Sequence, residues 1–309
     1  MAFAGHGEQI MIDANGLAGA NARTRQARRR QQSAAGEGGS IHPIPEAGIV
    51  DAARRLDMAE RTRTQMPLLS LQYPGAELGQ AYAIQRHWMQ MKLAAGRRII
   101  GRKIGLTSRA MQAAVGIGSP DSGVLLDDML FDDGSTVPGD RFIMPRIEAE
   151  LAFILHRRLR GPDVTMYDVI DSTAHVIPAL EILDTRIFRA DPATGRARTV
   201  FDTVADNAAN AGVVLGGQPS PADRIDFRWS GAIVHRNGVI EETGLAAGVL
   251  NHPARAVAWL CNRIAEEGEA IEPGQIVLSG SFIRPVEARS GDVIHADFGP
   301  LGSVACRFG

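Results

Sequence analysis

Glu148, Glu150 and Glu181 lie in segments whose other residues are almost entirely apolar. Carboxylates are costly to bury unless something compensates their charge, so these three ask for a cation. Glu148 and Glu150 sit in Pro145-Arg146-Ile147-Glu148-Ala149-Glu150-Leu151-Ala152-Phe153-Ile154-Leu155, which has strand character. Two residues apart, they share one face at a spacing of roughly 7 Å. Ala152 and Ile154 continue that face, and Ile147, Ala149, Leu151 and Phe153 form the other. A strand apolar on both faces is a buried one, which carries its glutamates inside with it. Glu181 has aliphatic neighbours too, in Val176-Ile177-Pro178-Ala179-Leu180-Glu181-Ile182-Leu183. Hard oxygen donors without a His or Cys cluster suit Mg²⁺ or Mn²⁺ rather than zinc.

Other residues could act beside such a site. Lys103 lies on a glycine-bounded strand, where the bland alternative is an edge charge. Asp121, in Ser119-Pro120-Asp121-Ser122-Gly123, reads as an Asx turn unless a nearby lysine makes it half of an acid–base pair. Ser279-Gly280-Ser281 ends an apolar strand and offers backbone N–H and hydroxyl donors to an anion, or forms a plain turn. The small polar stretch from Arg198 to Gly212 reads as part of a pocket rim. His175, His252 and His295 show no metal-ligand spacing and read as capping or local hydrogen-bonding residues.

These residues must be positioned by a chain of 309 residues, 45% hydrophobic, which is long enough for a sizeable core. Residues 1–43 are rich in Ala, Gly, Gln and Arg, with five arginines between Arg23 and Arg30, and read as a disordered extension dispensable for activity. Residues 44–98 form a helical part, with helical spacing over 45–65 and 81–95. Residues 99–309 form a mixed β domain. It opens on a strand at 99–106 and a short helix ending near Gly116, and further strands are expected around 227–236, 275–280 and 292–308. Helices are expected from Thr165, with Asp168 completing the cap, and from Pro253 to Gly268. The order is not a regular strand–helix alternation and no phosphate-cradling glycine motif is present, so the expectation is an α+β fold with a mixed or mainly antiparallel sheet. A formal charge of −2 gives no footprint for nucleic acid. Cys261 and Cys306, the only cysteines, imply neither a disulfide framework nor a zinc site. No apolar run has the length of a membrane span and no secretory leader is evident, so the expected location is the cytoplasm.

The runs Gly101-Arg102-Lys103-Ile104-Gly105-Leu106-Thr107-Ser108, Pro120-Asp121-Ser122-Gly123, Ile147-Glu148-Ala149-Glu150-Leu151-Ala152-Phe153 and Asp206-Asn207-Ala208-Ala209-Asn210, with Glu181, resemble the hydratase and decarboxylase branch of the fumarylacetoacetate hydrolase superfamily. The resemblance covers essentially everything after residue 45. It implies a helical N-terminal part followed by a mixed-sheet β-sandwich or roll, assembled as a homo-oligomer, pentamer or decamer. It also implies that Glu148, Glu150 and Glu181 hold one Mg²⁺ or Mn²⁺ and that Lys103 and Asp121 stand over the substrate. The implied substrate is a small 2-oxo dicarboxylic acid, hydrated at a C–C double bond in the breakdown of aromatic acids. The stretches Asn237-Gly238-Val239-Ile240-Glu241-Glu242-Thr243-Gly244 and Gly248-Val249-Leu250-Asn251-His252-Pro253, with the insert from Arg186 to Phe201, favour a longer dicarboxylic dienoate over the five-carbon 2-hydroxypentadienoate. Ser281 would help bind the 2-oxo acid, and Arg186, Arg198 or Arg284 its second carboxylate, in no order of preference. The alternatives are a decarboxylase of 2-oxo-3-hexenedioate and, from another class, a non-catalytic scaffold partner. Hydrolysis of a C–C bond is disfavoured, because no histidine matches the one that activates water in relatives of that type.

Overall fold

The computed structural model describes residues 43–115 and 117–309; the expected extension, Pro43 apart, lies outside them. Residues 43–309 form one compact unit. Three helices come first: α1 (Glu46–Thr62), α2 (Leu69–Gln72) and α3 (Leu78–Ala94). The apolar stripe of α1 (Ala52, Ala53, Leu56, Ala59) and that of α3 (Ala81, Ile84, Trp88) are buried. The cluster they build also takes in Val124, Leu126, Ile187, Phe201 and Val204 from beyond residue 99. The helical part therefore shares a core with the β region.

That region runs β1 (Ile99–Gly105), α4 (Arg109–Val115), β2 (Asp121–Leu126), β3 (Leu130–Asp132), β4 (Thr136–Val137), β5 (Arg146–Leu155), α5 (Met166–Ser172), β6 (Thr173–Leu183), α6 (Val200–Ala205), β7 (Asn210–Leu215), β8 (Gly231–Arg236), β9 (Val239–Leu245), α7 (Pro253–Ala265), β10 (Ile276–Leu278), β11 (Val286–Glu287), β12 (Val293–Asp297) and β13 (Ser303–Phe308). An eight-stranded sheet has the order β2-β1-β10-β5-β6-β7-β3, with β11 also on β5; a five-stranded sheet has the order β4-β13-β12-β8-β9. Pairs β1/β10, β3/β7 and β4/β13 are parallel and the rest antiparallel, as a mixed α+β fold requires. The main core joins Ile147, Ala149, Leu151, Phe153 and Leu180 of the large sheet to Val234, Ile294, Val304 and Phe308 of the small one, with Val257 and Leu260 of α7.

Local signals account for the helix starts. Thr165 accepts a hydrogen bond from Asp168 N, and the Asp168 carboxylate accepts one from Thr165 N at 2.8 Å, closing the expected cap. His252 caps α7, its Nδ1 accepting from Ala254 N at 3.2 Å. The strand expected over 292–308 is two strands, split by a turn at Gly299–Leu301.

Candidate active site

Strand register gathers the carboxylates. On the long antiparallel pair β5/β6, Glu148 stands directly opposite Glu181, and Glu150 follows one pleat along, opposite Ala179. The strand period of two then puts all three on one face. On the same sheet Lys103 pairs with Leu278 of β10, which pairs with Ala152, so Lys103 lies one pleat beyond Glu150 across the ladder. Asp121 opposes Gly105 at the start of β2. One face of the large sheet thus carries Lys103, Asp121, Glu148, Glu150 and Glu181. Arg102 points to the other face, where it pairs with Glu269.

The carboxylates of Glu148, Glu150 and Glu181 each offer an oxygen, and these oxygens lie within 4.8 Å of one another. Glu150 and Glu181 are fully buried, and Glu148 is half-buried. Glu150 Oε2 accepts from Gly280 N at 2.7 Å, Glu181 Oε1 accepts from Asn210 Nδ2 at 3.2 Å, and Lys103 Nζ is 3.3 Å from Glu181 Oε1. Four buried acceptors remain without a donor: Glu150 Oε1, Glu181 Oε2, Asp121 Oδ1 and Asn210 Oδ1. So many orphaned oxygens at one place are unfavourable unless a cation collects them. Three carboxylates against the single Lys103 ammonium leave two negative charges, which one divalent ion neutralises. The donor set fits Mg²⁺ or Mn²⁺.

The electrostatics agree. Burial, then the charge of Glu181, lifts Glu148 to about 8. Glu150 is raised well above the ordinary carboxyl value by burial and by its two glutamate neighbours. Burial raises Glu181 too, with Lys103 opposing. For Lys103, burial alone would lower the pKa, but Glu181, Asp121, Glu148 and Glu150 outweigh it and hold the ammonium above its usual value. Burial raises Asp121 against the pull of Lys103 and Arg198. The pair is therefore an ammonium that donates and a carboxyl that burial makes a better proton acceptor than an ordinary aspartate.

The backbone around these groups is specialised. A Cβ at Gly105 would stand 2.2 Å from Asp121 Oδ1 and 3.2 Å from Lys103 Nζ, so only glycine lets the two approach over β1. Leu106, at φ 54°, holds the left-handed region, its carbonyl accepting from Gln112 Nε2 at 2.8 Å. Gly280 has φ +109°, and a Cβ there would meet Thr107 Oγ1 at 2.3 Å. Asn207, Ala208 and Ala209 are consecutive non-glycine residues at φ 51°, 51° and 59°. Asn207 anchors this turn by donating to Val124 O and accepting from Val124 N, at 2.9 and 2.8 Å, as a strand would. The turn delivers Asp206 to Arg186 and Asn210 to Glu181. Within the stretch expected as a pocket rim, residues 204–212 are buried scaffolding, whereas Arg198 and Val200 are half-buried and Thr199 is exposed. The N-terminal helices brace Asp121: Tyr82 Oη accepts from Ser122 N at 3.2 Å, and Gln85 Nε2 donates to Ser122 O at 2.9 Å.

The structure separates the other expected residues. The Ser281 hydroxyl is turned back on Ile283, donating to its carbonyl at 3.0 Å and accepting from its N–H at 3.2 Å. Arg186 is buried, its Nε 2.6 Å from Asp206 Oδ1, its Nη2 donating to Asp206 O and Asn210 O, and its guanidinium 5.2 Å over Trp88. Arg284 pairs with Glu242 at 2.6 Å, and its side chain is 83% exposed. Arg198 is half-buried, with a solvent-excluded Nη1 that has no hydrogen-bond partner. Asn210 and Gln85 went unremarked in the sequence as positioning residues, whereas Gly105 was read as bounding the Lys103 strand and Gly280 as part of a run offering N–H donors to an anion, which here is the Glu150 carboxylate.

Comparison with known proteins follows the same line. The chain is 58% identical over 256 residues to 2-oxo-hept-4-ene-1,7-dioate hydratase of Escherichia coli, covering 83% of this chain and 96% of that one. It belongs to the hydratase and decarboxylase branch of the fumarylacetoacetate hydrolase superfamily. Within this branch it is also 34% identical to a 4-oxalocrotonate decarboxylase of Pseudomonas sp. (strain CF600), over 84% of this chain and 96% of that one. Among solved structures, 4-oxalocrotonate decarboxylase from Pseudomonas putida G7, complexed with magnesium and adipate, superposes with a TM-score of 0.81 at 32% identity, over 86% of this chain and 99% of that one. No family model matches the chain. Among the described residues no helix is long and apolar enough to cross a membrane.

Proposed function

We propose that this protein is a divalent-metal-dependent hydro-lyase that converts 2-oxohept-4-ene-1,7-dioate, through its dienol 2-hydroxyhepta-2,4-dienedioate, to 4-hydroxy-2-oxoheptane-1,7-dioate. The observation that carries it is the convergence of three buried glutamates and their orphaned oxygens beside Lys103. Hydration rather than decarboxylation is supported by the 58% identity to a hydratase against 34% to a decarboxylase.

Glu148, Glu150 and Glu181 would hold Mg²⁺, with Mn²⁺ as the substitute. When bound, such an ion supplies Lewis-acid polarisation of a 2-oxo acid. The protein's own part is to place and move protons. Gly280 N and Asn210 Nδ2 fix the rotamers of Glu150 and Glu181, leaving an oxygen of each free. Asp121 is suited to deliver a proton to C5 of the dienol, which makes C4 electrophilic and leaves a carboxylate. That carboxylate then takes a proton from the water attacking C4, and the resulting 2-enol ketonises, losing its 2-hydroxyl proton to solvent as C3 gains one from solvent. Lys103, held charged, donates hydrogen bonds that orient the water and keep Asp121 from repelling the glutamates. Cytoplasmic location and a homo-oligomeric state belong to the same reading.

Product analysis tests it. Incubation of the Mg²⁺-loaded protein with 2-hydroxyhepta-2,4-dienedioate should yield the 4-hydroxy-2-oxo diacid without CO₂. Release of CO₂ with 2-oxo-3-hexenedioate and no hydration would overturn the assignment in favour of the decarboxylase.

A further inference from the structure

Resting on that reading, we propose that Arg198 is the cation that receives the substrate's second carboxylate, which makes it the residue selecting dicarboxylic over monocarboxylic dienoates. A seven-carbon dianion needs a cation far from the end that the glutamate cluster addresses. Arg186 has spent its donors on Asp206 and Asn210, and Arg284 is on the surface with Glu242. Arg198 is different: Nη1 is closed off from solvent and unpartnered, and among the described residues no carboxylate oxygen comes within 4.0 Å of the guanidinium. Asp206, the neighbouring carboxylate, has Oδ1 on Arg186 Nε and Oδ2 on the N–H groups of Arg186 and Ile187. Asp206, Asp121 and Asp202 act on it only from beyond ion-pair distance, so a half-buried guanidinium with a solvent-excluded nitrogen is left for a ligand carboxylate to complete.

Its placement is fixed on both sides in the chain. A small hairpin pairs Ala190 with Ala197, Arg198 N donates to Arg189 O at 2.9 Å, and Asp191 Oδ1 accepts from Thr194 N at 2.8 Å. The next residue, Thr199, enters the capped start of α6, its N–H donating to Asp202 Oδ2 at 2.8 Å. The segment that Arg198 opens runs on through α6 and the left-handed turn to Asn210, whose amide donates to Glu181, and the Arg198 charge opposes the rise that burial imposes on Asp121. Of the three arginines this hairpin carries, Arg189, Arg196 and Arg198, only Arg198 has a guanidinium nitrogen that is both closed off from solvent and unpartnered, the state a carboxylate receptor requires.

The test compares wild type, Arg198→Met and Arg198→Lys in the Mg²⁺-loaded protein, with two substrates and two unreactive ligands. kcat/KM is measured for 2-hydroxyhepta-2,4-dienedioate and for 2-hydroxypenta-2,4-dienoate, which lacks the second carboxylate. Calorimetry measures binding of 2-oxoheptane-1,7-dioate and of 2-oxopentanoate. Arg198→Met should lower the diacid-to-monoacid ratio, in both turnover and binding, by roughly 10- to 150-fold, the worth of one charge-assisted hydrogen-bonded pair. Arg198→Lys should recover part of it, since an ammonium keeps the charge but not the planar fork. An unchanged ratio, or equal loss with both ligands of each pair, would overturn the assignment. If the wild type hydrates neither dienoate, the hydratase reading fails by itself, and the calorimetric ratio still decides Arg198.

Discussion

Arg186 and Arg198 are twelve residues apart, and their substitution by methionine should have unequal effects on stability, a large loss at the first and none at the second. Methionine keeps the apolar stem and much of the volume of arginine while removing the charge. At Arg186 the change strips Asp206 of the guanidinium 2.6 Å away, together with the two Nη2 bonds to carbonyls, and leaves a fully buried carboxylate served only by backbone N–H groups. Breaking a buried ion pair by removing one partner costs about 3–5 kcal/mol. Against a total of about 5–15 kcal/mol for a domain, that is a large fraction. At about 2–4 °C per kcal/mol for a chain of this size, melting should fall by roughly 6–20 °C. At Arg198 the change removes a partly buried cation that has no carboxylate of its own, so melting should stay within about 2 °C of wild type or rise. The assay is thermal or urea unfolding of the metal-free proteins in chelator, because bound Mg²⁺ would add ligand-linked stability to all of them. The double variant Arg186→Met/Asp206→Asn should lose less than the two single changes combined, since no buried charge is left unpaired. An Arg186→Met protein that melts like wild type but has lost its preference for dicarboxylates would refute the reasoning, making Arg186 the substrate residue and Arg198 the structural one.

Metal binding should release protons. Glu148 is lifted to about 8 by burial and Glu181, against an unfolded value of roughly 4.3. Its contribution to metal-free stability is therefore full below about pH 4 and lost as pH rises through about 8, while apparent Mg²⁺ affinity climbs through the same window. Calorimetry at pH 7 in buffers of different ionisation heat should report about one proton or more released per ion; no release would refute the protonated cluster. Lys103→Ala should cut kcat by roughly 10²- to 10⁴-fold with Mg²⁺ still bound, and unchanged turnover would remove Lys103 from the chemistry. Gly280→Ala forces a Cβ to within 2.3 Å of Thr107 Oγ1 at a φ of +109°. It should therefore shift the N–H that holds Glu150 and weaken Mg²⁺ binding by about 10-fold or more. Wild-type affinity in that variant would show that Glu150 does not depend on this bond.

What the sequence made legible was whatever one element specifies by itself. The β5 glutamates stand out because a period-two apolar pattern leaves two carboxylates on a buried face, and β5/β6 register then sets Glu148 opposite Glu181 without further information. The starts of α5 and α7 were readable because Thr165, Asp168 and His252 cap within three residues of themselves. Strands of two or three residues such as β3, β4 and β11 carry no period and were not foreseen. Nor was the left-handed turn at Asn207–Ala209, since no glycine announces it and its support is a side-chain amide reaching Val124, 83 residues away.

The three arginines show the limit most clearly. Each was equally eligible as a guanidinium that could meet a carboxylate, because charge and composition are local properties and pairing is not. Arg186 is claimed by an aspartate that only the left-handed turn brings to it, and by an indole from α3 across the core. Arg284 is claimed by Glu242 on a strand of the other sheet. The arginine left over is identified by subtraction: it is the one of the three with no carboxylate oxygen within 4.0 Å and a buried nitrogen without a partner. The same logic runs through the glutamates. Glu150 and Glu181 each have one oxygen held by the protein and one left without a donor, so the fold fixes their orientation yet leaves charge unsatisfied. Metal and substrate would thus complete pairs that the folded chain leaves open, the ion at the three glutamates and the diacid's second carboxylate at Arg198.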